Sequence, residues 1–378
     1  MTAVGGPPFM PGIDDLLASV ARTAARPFAD AVTLPRGAYV DPDFAALEIR
    51  RLFLADWVCV GRVDEVPEPG DYITHRIVDT PVAVIRQRDG TLRTLVNICR
   101  HRGAGLLDGC GHAERIVCPY HAWTYDLEGA LLGAPFSGDR PDLSSIALPQ
   151  VRTDIWEGWI YVTLDDDVAP LSSRLESLSS RIAPWYPADH VMVWRANEIW
   201  ACNWKTLAEN FTESYHLFSS HRETLQPHTP TQGVECEPGE ADWNIHWMET
   251  TRPAEKTRPE VSDEARRRFP LMHIYPGHVV STSLARGFWM SLQPDGIDRV
   301  RVLWGVTVAR PMVPADADGY AAFRDDMRKT FEAVNLEDRK IVESIARNLK
   351  SDHVQPGPLC PKERTLWEFW RYLARRLT

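Results

Sequence analysis

Residues 97–103 read Asn-Ile-Cys-Arg-His-Arg-Gly, and residues 118–123 read Cys-Pro-Tyr-His-Ala-Trp. Each stretch contains one cysteine and one histidine, separated by a single residue in the first stretch and by two residues in the second. The four side chains concerned are Cys99, His101, Cys118 and His121. Thiolates are soft ligands and imidazole suits iron and zinc, so the two stretches together predict a metal site.

The arrangement of these four ligands separates two kinds of metal site. Structural zinc sites also use two cysteines and two histidines, but they usually place the cysteines in one pair and the histidines in the other. Here each pair contains one ligand of each type. In a Rieske [2Fe–2S] centre, two histidines replace two cysteines on one of the two irons. The mixed pairs therefore predict a Rieske cluster, with a structural zinc site as the alternative.

The composition of the chain is that of a globular protein with more than one domain. The chain has 378 residues, of which 44% are hydrophobic and 25% are charged, and this length suits two domains. The net charge of −10 argues against nucleic-acid binding, which requires a basic face. Five of the seven cysteines lie outside the two pairs. Their scattered positions fit free thiols in a reducing cytoplasm better than a disulfide framework.

The sequence also bears on membrane association. It begins without a basic segment followed by an apolar one, so we expect no signal peptide. No run of about eighteen apolar residues occurs, so we expect no transmembrane helix. We therefore expect a cytoplasmic protein that does not bind a membrane.

Hydrophobic patterns divide the chain into three parts. Residues 1–54 show helical spacing of apolar residues, whereas residues 55–165 contain short β-type runs separated by turns such as Asp89-Gly90. Residues 166–378 mix both patterns and include an irregular region after Pro227. In this last part we expect helices over 171–182, 204–221 and 317–348, and strands over 191–201, 279–285, 288–293 and 299–310. The expected fold class is therefore α+β, with an all-β domain that carries the cluster in its loops.

A second group of candidate ligands lies at residues 203–221, which contain His216 and His221. Two histidines and one carboxylate form a facial triad that leaves iron positions open for oxygen and substrate. On a regular helix, histidines five residues apart diverge by about 140°, so the helix must end or widen between them, for instance by a π-bulge. Glu213 is expected on the helical face of His216, three residues away. Buried structural histidines are the alternative, but an electron carrier in the same chain needs an acceptor.

Taken together, these motifs resemble the α (oxygenase) subunit of the Rieske non-heme iron oxygenases, the aromatic-ring-hydroxylating family. The resemblance extends over nearly the whole chain. Its matching pieces are residues 97–103 and 118–123, Asn203-Trp204-Lys205, Glu209-Asn210-Phe211, Tyr215-His216 and His221. It implies that the Rieske [2Fe–2S] domain at 55–165 is inserted into a helix-grip (START-like) catalytic domain formed by 1–54 and 166–378.

The resemblance also implies the second metal site. Members of the family bind a mononuclear Fe(II) with two histidines and with an aspartate from a C-terminal helix. Carried over to this chain, the histidines are His216 and His221. The matching C-terminal stretch contains Asp338, which is the candidate for the third ligand, and Glu337, which is its competitor.

Two further residues acquire roles from the resemblance. It places Asn210 and Glu213 among the catalytic residues, with Glu213 linking a cluster histidine of one subunit to His216 of the neighbouring subunit. Many members have aspartate where this chain has Glu213. Glutamate at this position is similar to the branch of the family that acts on quaternary ammonium compounds such as carnitine and glycine betaine.

The activity implied is that of a terminal oxygenase that activates O₂ and hydroxylates or demethylates a small aromatic compound or quaternary amine. Electrons would come from a separate NAD(P)H-dependent reductase or a ferredoxin, and the subunits would form a homotrimer or larger ring. The alternative is an electron-transfer or ligand-binding protein without oxygenase activity, which would lack the second iron. Aromatic residues that could surround a trimethylammonium group, or simply form core, are Trp243, Trp247, Phe288, Trp289 and Trp304.

Overall fold

Residues 12–138, 143–252 and 261–378 are described by the computed structural model, and they form two compact units. One unit comprises Phe53–Arg174, and the other combines the chain up to Leu52 with Leu175–Thr378. One unit is therefore inserted into the sequence of the other, as the predicted fold class requires. The domain limits at 55 and 165 stay predictions that lie close to these bounds.

The inserted unit is an all-β structure. Seven strands form an antiparallel sheet in the order β1–β10–β9–β4–β3–β2–β5, and β6, β7 and β8 form a smaller sheet. The strands are β1 (Val58–Arg62), β2 (Asp71–Ile77), β3 (Thr80–Arg86), β4 (Leu92–Val96), β5 (Cys110–His112), β6 (Ile116–Val117), β7 (Thr124–Tyr125), β8 (Leu131–Gly133), β9 (Gln150–Trp156) and β10 (Trp159–Thr163). The loops between β4 and β5 and between β6 and β7 contain the four predicted cluster ligands.

The turn between β3 and β4 shows how the sequence sets the pairing of these two strands. Gly90 has a φ of +84°, a conformation that glycine adopts without a steric cost at Cβ. The Asp89 carboxylate accepts hydrogen bonds from the backbone N–H and the hydroxyl of Thr91, at 2.9 and 2.7 Å. Arg86 then pairs with Leu92 across the two strands. The Asp-Gly pair therefore marks a hairpin, as predicted.

The other unit is organised around one antiparallel sheet of seven strands, in the order β11–β17–β16–β15–β14–β13–β12. The long helix α8 (Ala317–Asn348) packs against β11 (His190–Trp200) and β17 (Val300–Ala309), and β17 is buried at nine of its ten positions. This helix and sheet form the expected helix-grip arrangement. The strands are β11 (His190–Trp200), β12 (Val234–Glu237), β13 (Trp243–Glu249), β14 (Arg268–Ile274), β15 (His278–Thr282), β16 (Arg286–Pro294) and β17 (Val300–Ala309).

Nine α-helices occur in the described part of the chain. They are α1 (Ile13–Ala24), α2 (Gly37–Val40), α3 (Pro42–Glu48), α4 (Leu171–Ile182), α5 (Trp204–Thr212), α6 (Leu217–Ser220), α7 (Asp263–Arg267), α8 (Ala317–Asn348) and α9 (Arg364–Leu377). The bounds of α4 and α8 match the predicted helices. Asp316 caps α8 by accepting a hydrogen bond from Gly319 N at 2.7 Å. Across the described ranges, no helix is both long and apolar enough to cross a bilayer.

Helix α5 is fixed to the N-terminal helices by a buried ion pair. Asn203 caps α5 by accepting a hydrogen bond from Lys205 N at 3.0 Å. Lys205 Nζ lies 2.7 Å from Glu48 Oε2, and both side chains are at most 1% exposed. Breaking a buried pair by removing one partner costs about 3–5 kcal/mol. The Asn203-Trp204-Lys205 segment therefore sets the position of the helix that leads to the second metal site.

Two of the expected elements differ from the structure. The helix expected over 204–221 is interrupted, because α5 ends at Thr212 and only the single turn of α6 follows. The region after Pro227 was expected to be irregular, but it contains β12, β13 and β14. Buried polar residues such as Asn244 and His246 obscure the strand pattern there, and Pro270 lies in β14 at a position that pairs only with β13.

Candidate metal centres

The two cluster loops share one backbone hydrogen-bonding pattern. In each loop the cysteine carbonyl accepts from the amide four residues later at 3.0 Å, and the cysteine amide donates to the carbonyl five residues later at 2.8 Å. The residues paired in this way are Cys99 with Gly103 and Ala104, and Cys118 with Ala122 and Trp123. Gly103 and Ala122 both have left-handed backbone, with φ of +75° and +56°. Two loops of similar backbone conformation therefore hold the two cysteines.

The four side chains separate by burial. Cys99 and Cys118 are each 3% exposed, whereas His101 and His121 are exposed. The two imidazole rings meet edge to face with their centroids 4.8 Å apart. The structure thus brings all four predicted ligands together, with thiols inside and imidazoles at the surface, and this donor set fits a Rieske cluster.

Tyr125 supports the thiolate form of Cys99, and its distance of 26 residues along the chain gives no sequence signal for this contact. Its hydroxyl lies 3.4 Å from Cys99 Sγ and accepts a hydrogen bond from Arg100 N at 3.1 Å. Burial raises the pKa of Cys99, but hydrogen bonds from Tyr125 and from backbone amides outweigh it and lower the pKa below its usual value. Because the thiolate is the metal-binding form, this environment suits a cluster ligand.

His216, His221 and Asp338 converge in the second candidate site. One ligand atom from each lies within 4.8 Å of the others. Asp338 Oδ1 is 2.9 Å from His221 Nε2 and 3.5 Å from His216 Nε2. The prediction that these three residues lie together is therefore in agreement with the structure, and two imidazoles with one carboxylate form the donor set of a mononuclear iron site.

Carboxylates also orient the outer nitrogens of both histidines. Glu213 Oε1 lies 2.5 Å from His216 Nδ1, and Glu337 Oε2 lies 2.7 Å from His221 Nδ1. This carboxylate–histidine pairing fixes the tautomer and the ring orientation of a metal ligand. Glu337 therefore contacts the far side of His221, whereas Asp338 faces the space between the two histidines. This geometry favours Asp338 over Glu337 as the third ligand.

The local backbone explains the Glu213 contact and corrects its predicted origin. Glu213 is not on a helical face with His216, because α5 ends at Thr212 and Glu213 is extended, with φ −127° and ψ 165°. Its carboxylate instead accepts hydrogen bonds from the amides of Tyr215 and His216, which turns the chain back toward the carboxylate. The histidines then flank α6, so the helix ends between them and does not widen.

Two hydrogen bonds complete the surroundings of these ligands. Asn210 Nδ2 donates to Asp338 Oδ1 at 2.9 Å, which places the predicted catalytic residue Asn210 at the ligand carboxylate. Thr224 Oγ1 donates to Glu337 Oε2 at 2.6 Å. Thr224 was missed from the sequence, because nothing in its spacing from residue 337 indicates a contact made only in the folded chain.

The electrostatics of the second site suit a divalent cation. Burial lowers the pKa of His216, but Glu213 and Asp338 outweigh it and raise the pKa to about 10. Burial raises the pKa of Asp338, but hydrogen bonds from the two histidines outweigh it and lower the pKa to about 2. The carboxylates therefore hold positive charge at the centre of the trio, and the residues present fit a bound metal ion.

Comparison with known proteins gives two family matches that together span most of the chain. Residues 56–150 match the Rieske [2Fe-2S] domain. Residues 176–378, more than half of the chain, match the ring hydroxylating alpha subunit (catalytic domain). These two domains imply a Rieske cluster and a mononuclear iron as the cofactors, and they set aside the structural zinc site.

Individual relatives agree with both domains. The glycine betaine monooxygenase oxygenase subunit of Chromohalobacter salexigens is 30% identical over 366 residues, which cover 86% of this chain and 81% of that protein. A solved quaternary ammonium Rieske monooxygenase has a TM-score of 0.83 at 21% identity, over 95% of this chain and 98% of that one. Naphthalene 1,2-dioxygenase from Rhodococcus sp. has a TM-score of 0.80 at 20% identity, over 96% and 98%. The chain therefore belongs to the ring-hydroxylating oxygenases, as the α subunit of a Rieske non-heme iron oxygenase.

Proposed function

We propose that this oxygenase subunit acts on a quaternary ammonium compound and hydroxylates one of its N-methyl groups. The relative that is 30% identical over most of its length is named for glycine betaine. The glutamate at position 213 is similar to the branch of the family that acts on quaternary ammonium compounds. Its carboxylate contacts His216 Nδ1 in this fold. The proposal narrows the established activity, O₂-dependent oxidation of a small organic substrate, to one substrate class.

The residues that would hold the cofactors follow from the two sites. Cys99, His101, Cys118 and His121 would hold the Rieske cluster. His216, His221 and Asp338 would hold the mononuclear iron. When bound, these groups supply electron transfer and dioxygen activation.

At the second site, neighbouring side chains orient the three ligand side chains. Glu213 and Glu337 each accept the outer N–H of one histidine and so aim its Nε2 at Asp338. Asn210 donates to Asp338 Oδ1 and restrains the rotation of that carboxylate. The three ligand atoms come from two segments, α8 and the chain around α6, and a facial triad of this kind leaves positions open for substrate and oxygen.

An aromatic row that begins next to Asn210, the residue that donates to Asp338, supports the substrate proposal. Phe211 stacks on Phe288 with ring centroids 5.6 Å apart, and Phe288 stacks on Phe331 at 5.5 Å. Phe211 follows Asn210, and Phe331 lies two helical turns before Asp338 on the same side of α8. Phenyl faces attract cations, and the nearby carboxylates add to this attraction. The row therefore suits a trimethylammonium group.

Two of the other aromatic residues that could surround a trimethylammonium group make different contacts. Trp247 packs against Trp185 with ring centroids 5.0 Å apart and lies under Arg268. Trp304 Nε1 donates to Glu198 at 2.8 Å. The ring contacts of Phe288 extend to both α5 and α8, through Phe211 and Phe331.

A multicomponent oxygenase needs an electron-donating reductase, and the exposed face of the inserted unit would receive it. Around His101 and His121, Tyr120 is 57% exposed and Val117 is 50% exposed. Apolar side chains in such positions are typical of contact surfaces. We infer that this face also contacts a neighbouring subunit in a homotrimer or larger ring. Free thiols at Cys59, Cys110, Cys202, Cys236 and Cys360 support the expected cytoplasmic location.

Substrate-dependent O₂ uptake tests the proposed substrate class. Protein loaded with both cofactors and supplied with an electron donor is given a panel of quaternary amines and a matched panel of aromatic acids. We expect uptake, with formaldehyde release, for at least one quaternary amine and none for the acids. Uptake with an aromatic acid alone would contradict the proposal and favour a ring-hydroxylating activity. The Asp338→Ala variant is the control for uptake that is independent of the second site.

A further inference from the structure

Asn335 is a buried residue of α8 whose amide is unpartnered. The residue is 5% exposed, and both Oδ1 and Nδ2 lie without a hydrogen-bond partner among the described residues. A carboxamide offers two N–H donors and a carbonyl acceptor, and buried polar groups in folded proteins almost always find partners. The folded chain therefore leaves the bonding capacity of this side chain unused.

The position of Asn335 on α8 directs it toward the second metal site. Successive residues of an α-helix are rotated by about 100°. Phe331, Asn335 and Asp338 consequently lie within one stripe about 60° wide, with Asn335 about one turn from each of the others. The stripe begins at the aromatic row and ends at the ligand carboxylate. Asn335 lies between them.

Other buried asparagines of the same unit are satisfied by the protein itself. Asn244, which is 1% exposed, donates from Nδ2 to Tyr275 Oη and to the Thr365 carbonyl, at 2.9 and 2.8 Å. Asn203, which is 5% exposed, donates from Nδ2 to the Tyr39 and Ile297 carbonyls, at 3.1 and 3.0 Å. Both residues hold elements of the fold together. Asn335 makes no such bond to any residue that the structure describes, so its amide is available to a molecule that enters between Phe331 and Asp338.

We propose that Asn335 is a substrate-positioning residue whose amide N–H donates to a carboxylate on the substrate. Asn335 would hold the acidic arm about one helical turn from Asp338. The trimethylammonium end would then lie at the ligand trio, where an N-methyl group is to be oxidised, beside Phe211, which follows Asn210 at one end of the aromatic row. This assignment rests on the proposed function and narrows the substrate class to betaines, which carry both a quaternary ammonium and a carboxylate. A neutral amide suits this role, because it binds the carboxylate without repelling the cationic end.

Calorimetric titration of the full-length protein with two probes tests this role. Glycine betaine carries a carboxylate, and tetramethylammonium does not. In Asn335→Leu, which keeps the approximate side-chain volume, we expect the Kd for glycine betaine to rise on the order of tenfold. The Kd for tetramethylammonium should stay unchanged. The Tm of the variant should match or exceed that of the wild type, because no bond within the protein is lost.

Asn244→Leu is the matched control, since it removes two bonds that hold the fold and should lower the Tm. If Asn335→Leu does not fold, Asn335→Ala takes its place. Equal affinity of wild type and variant for glycine betaine would overturn the role of Asn335 and leave the proposed function standing. An equal loss for both probes would also overturn it. If the wild type binds neither probe, this assignment fails, and O₂ uptake across the wider panel of quaternary amines decides separately whether the proposed substrate class stands.

Discussion

At the residue scale, two adjacent carboxylates of α8 contact opposite sides of the same histidine. Asp338 faces His221 Nε2, and Glu337 faces His221 Nδ1. The resemblance gave Asp338 as the third ligand and Glu337 as its competitor, because the two residues follow each other in the matching stretch. Spacing alone does not decide between them, since the choice depends on the rotation of about 100° between neighbouring helix residues and on where the histidines lie.

Substitution of the two carboxylates should have different effects on iron. Asp338→Ala should lose the mononuclear iron and all turnover, and it should keep the visible absorption of the cluster. Glu337→Gln should keep the iron with an affinity lowered about 10–100-fold, because it removes only an orienting partner. Iron content per chain and the cluster spectrum measure both effects. Asp325→Ala, an exposed aspartate on the same helix, is the control. Full activity in Asp338→Ala would transfer the ligand role to Glu337.

At the scale of elements, α5 carries a second, partly buried carboxylate, Glu209, beside its ion pair. Glu209 Oε1 accepts hydrogen bonds from Tyr39 Oη at 2.7 Å and from Trp370 Nε1 at 2.8 Å. Burial raises the pKa of Glu209 to about 7, although these two hydrogen bonds and the charge of Lys205 oppose the rise, and Glu48 adds to it. This carboxylate joins α5 to α2 and α9 while its protonation changes near neutral pH.

The raised pKa of Glu209 should make the folded protein less stable as pH rises. Between the usual pKa of 4.5 and about 7, the folded state binds more protons than the unfolded state. The free energy of unfolding contributed by this group therefore falls as pH increases through that range, by at most about 1.4 kcal/mol per pH unit. Glu209→Gln keeps an Oε1 acceptor and removes the titration, so its Tm should fall less between pH 5 and pH 8.

Thermal unfolding of both proteins across this pH range measures the difference in slope. Glu332→Gln, a partly exposed glutamate paired with Arg328 on α8, should retain the wild-type slope. Parallel curves for wild type and Glu209→Gln would show that Glu209 remains ionised in the folded protein.

The element scale is also where sequence patterns were least informative. Regular helices such as α4 and α8 follow directly from apolar spacing and capping residues. Strands β12 to β14 do not follow from apolar spacing, because they contain buried polar residues and a proline. The side chains of Asn244 and His246 find their hydrogen-bond partners in segments that are distant in sequence. The break after Thr212 is set by the Glu213 carboxylate, which replaces helical hydrogen bonds with its own.

At the scale of the whole molecule, Glu213 is the residue expected to connect subunits. Its side chain is 10% exposed and already contacts His216. In the proposed ring, it would also accept a hydrogen bond from an exposed cluster histidine of the neighbouring subunit, His101 or His121. Charge-assisted bonds of this kind are about twice as strong as neutral ones. The link would give electrons a short route between subunits.

Glu213→Gln should keep both metal sites occupied and the oligomer mass unchanged, because glutamine preserves the size of the side chain. The rate of cluster reoxidation by O₂ in the presence of substrate should fall about 10–100-fold, since the charge is lost. Stopped-flow absorbance measures this rate. Glu223→Gln, an exposed neighbour of His221 in sequence, should behave as wild type. An unchanged rate in Glu213→Gln would require another path between subunits.

The fold class and the two metal sites of the molecule were predictable from the sequence, whereas the order of the strands and several long-range contacts were not. The paired ligands of residues 97–123 indicated a β-domain with a cluster, and the resemblance supplied the surrounding catalytic domain. The order of strands in both sheets, the role of Tyr125 and the unpartnered amide of Asn335 were not predictable, because each depends on contacts between segments far apart in sequence.

Helix α8 holds Phe331, Asn335 and Asp338 at fixed intervals on one continuous rod of 32 residues. Such a rod would fix the distance between the residues proposed to hold the substrate and the carboxylate proposed to bind iron. Changes at positions 331 and 335 would then alter the length or polarity of the molecule that fits, while the carboxylate at 338 stays in place. A new substrate preference in this chain would therefore need substitutions along one face of this helix and none in the ligand trio.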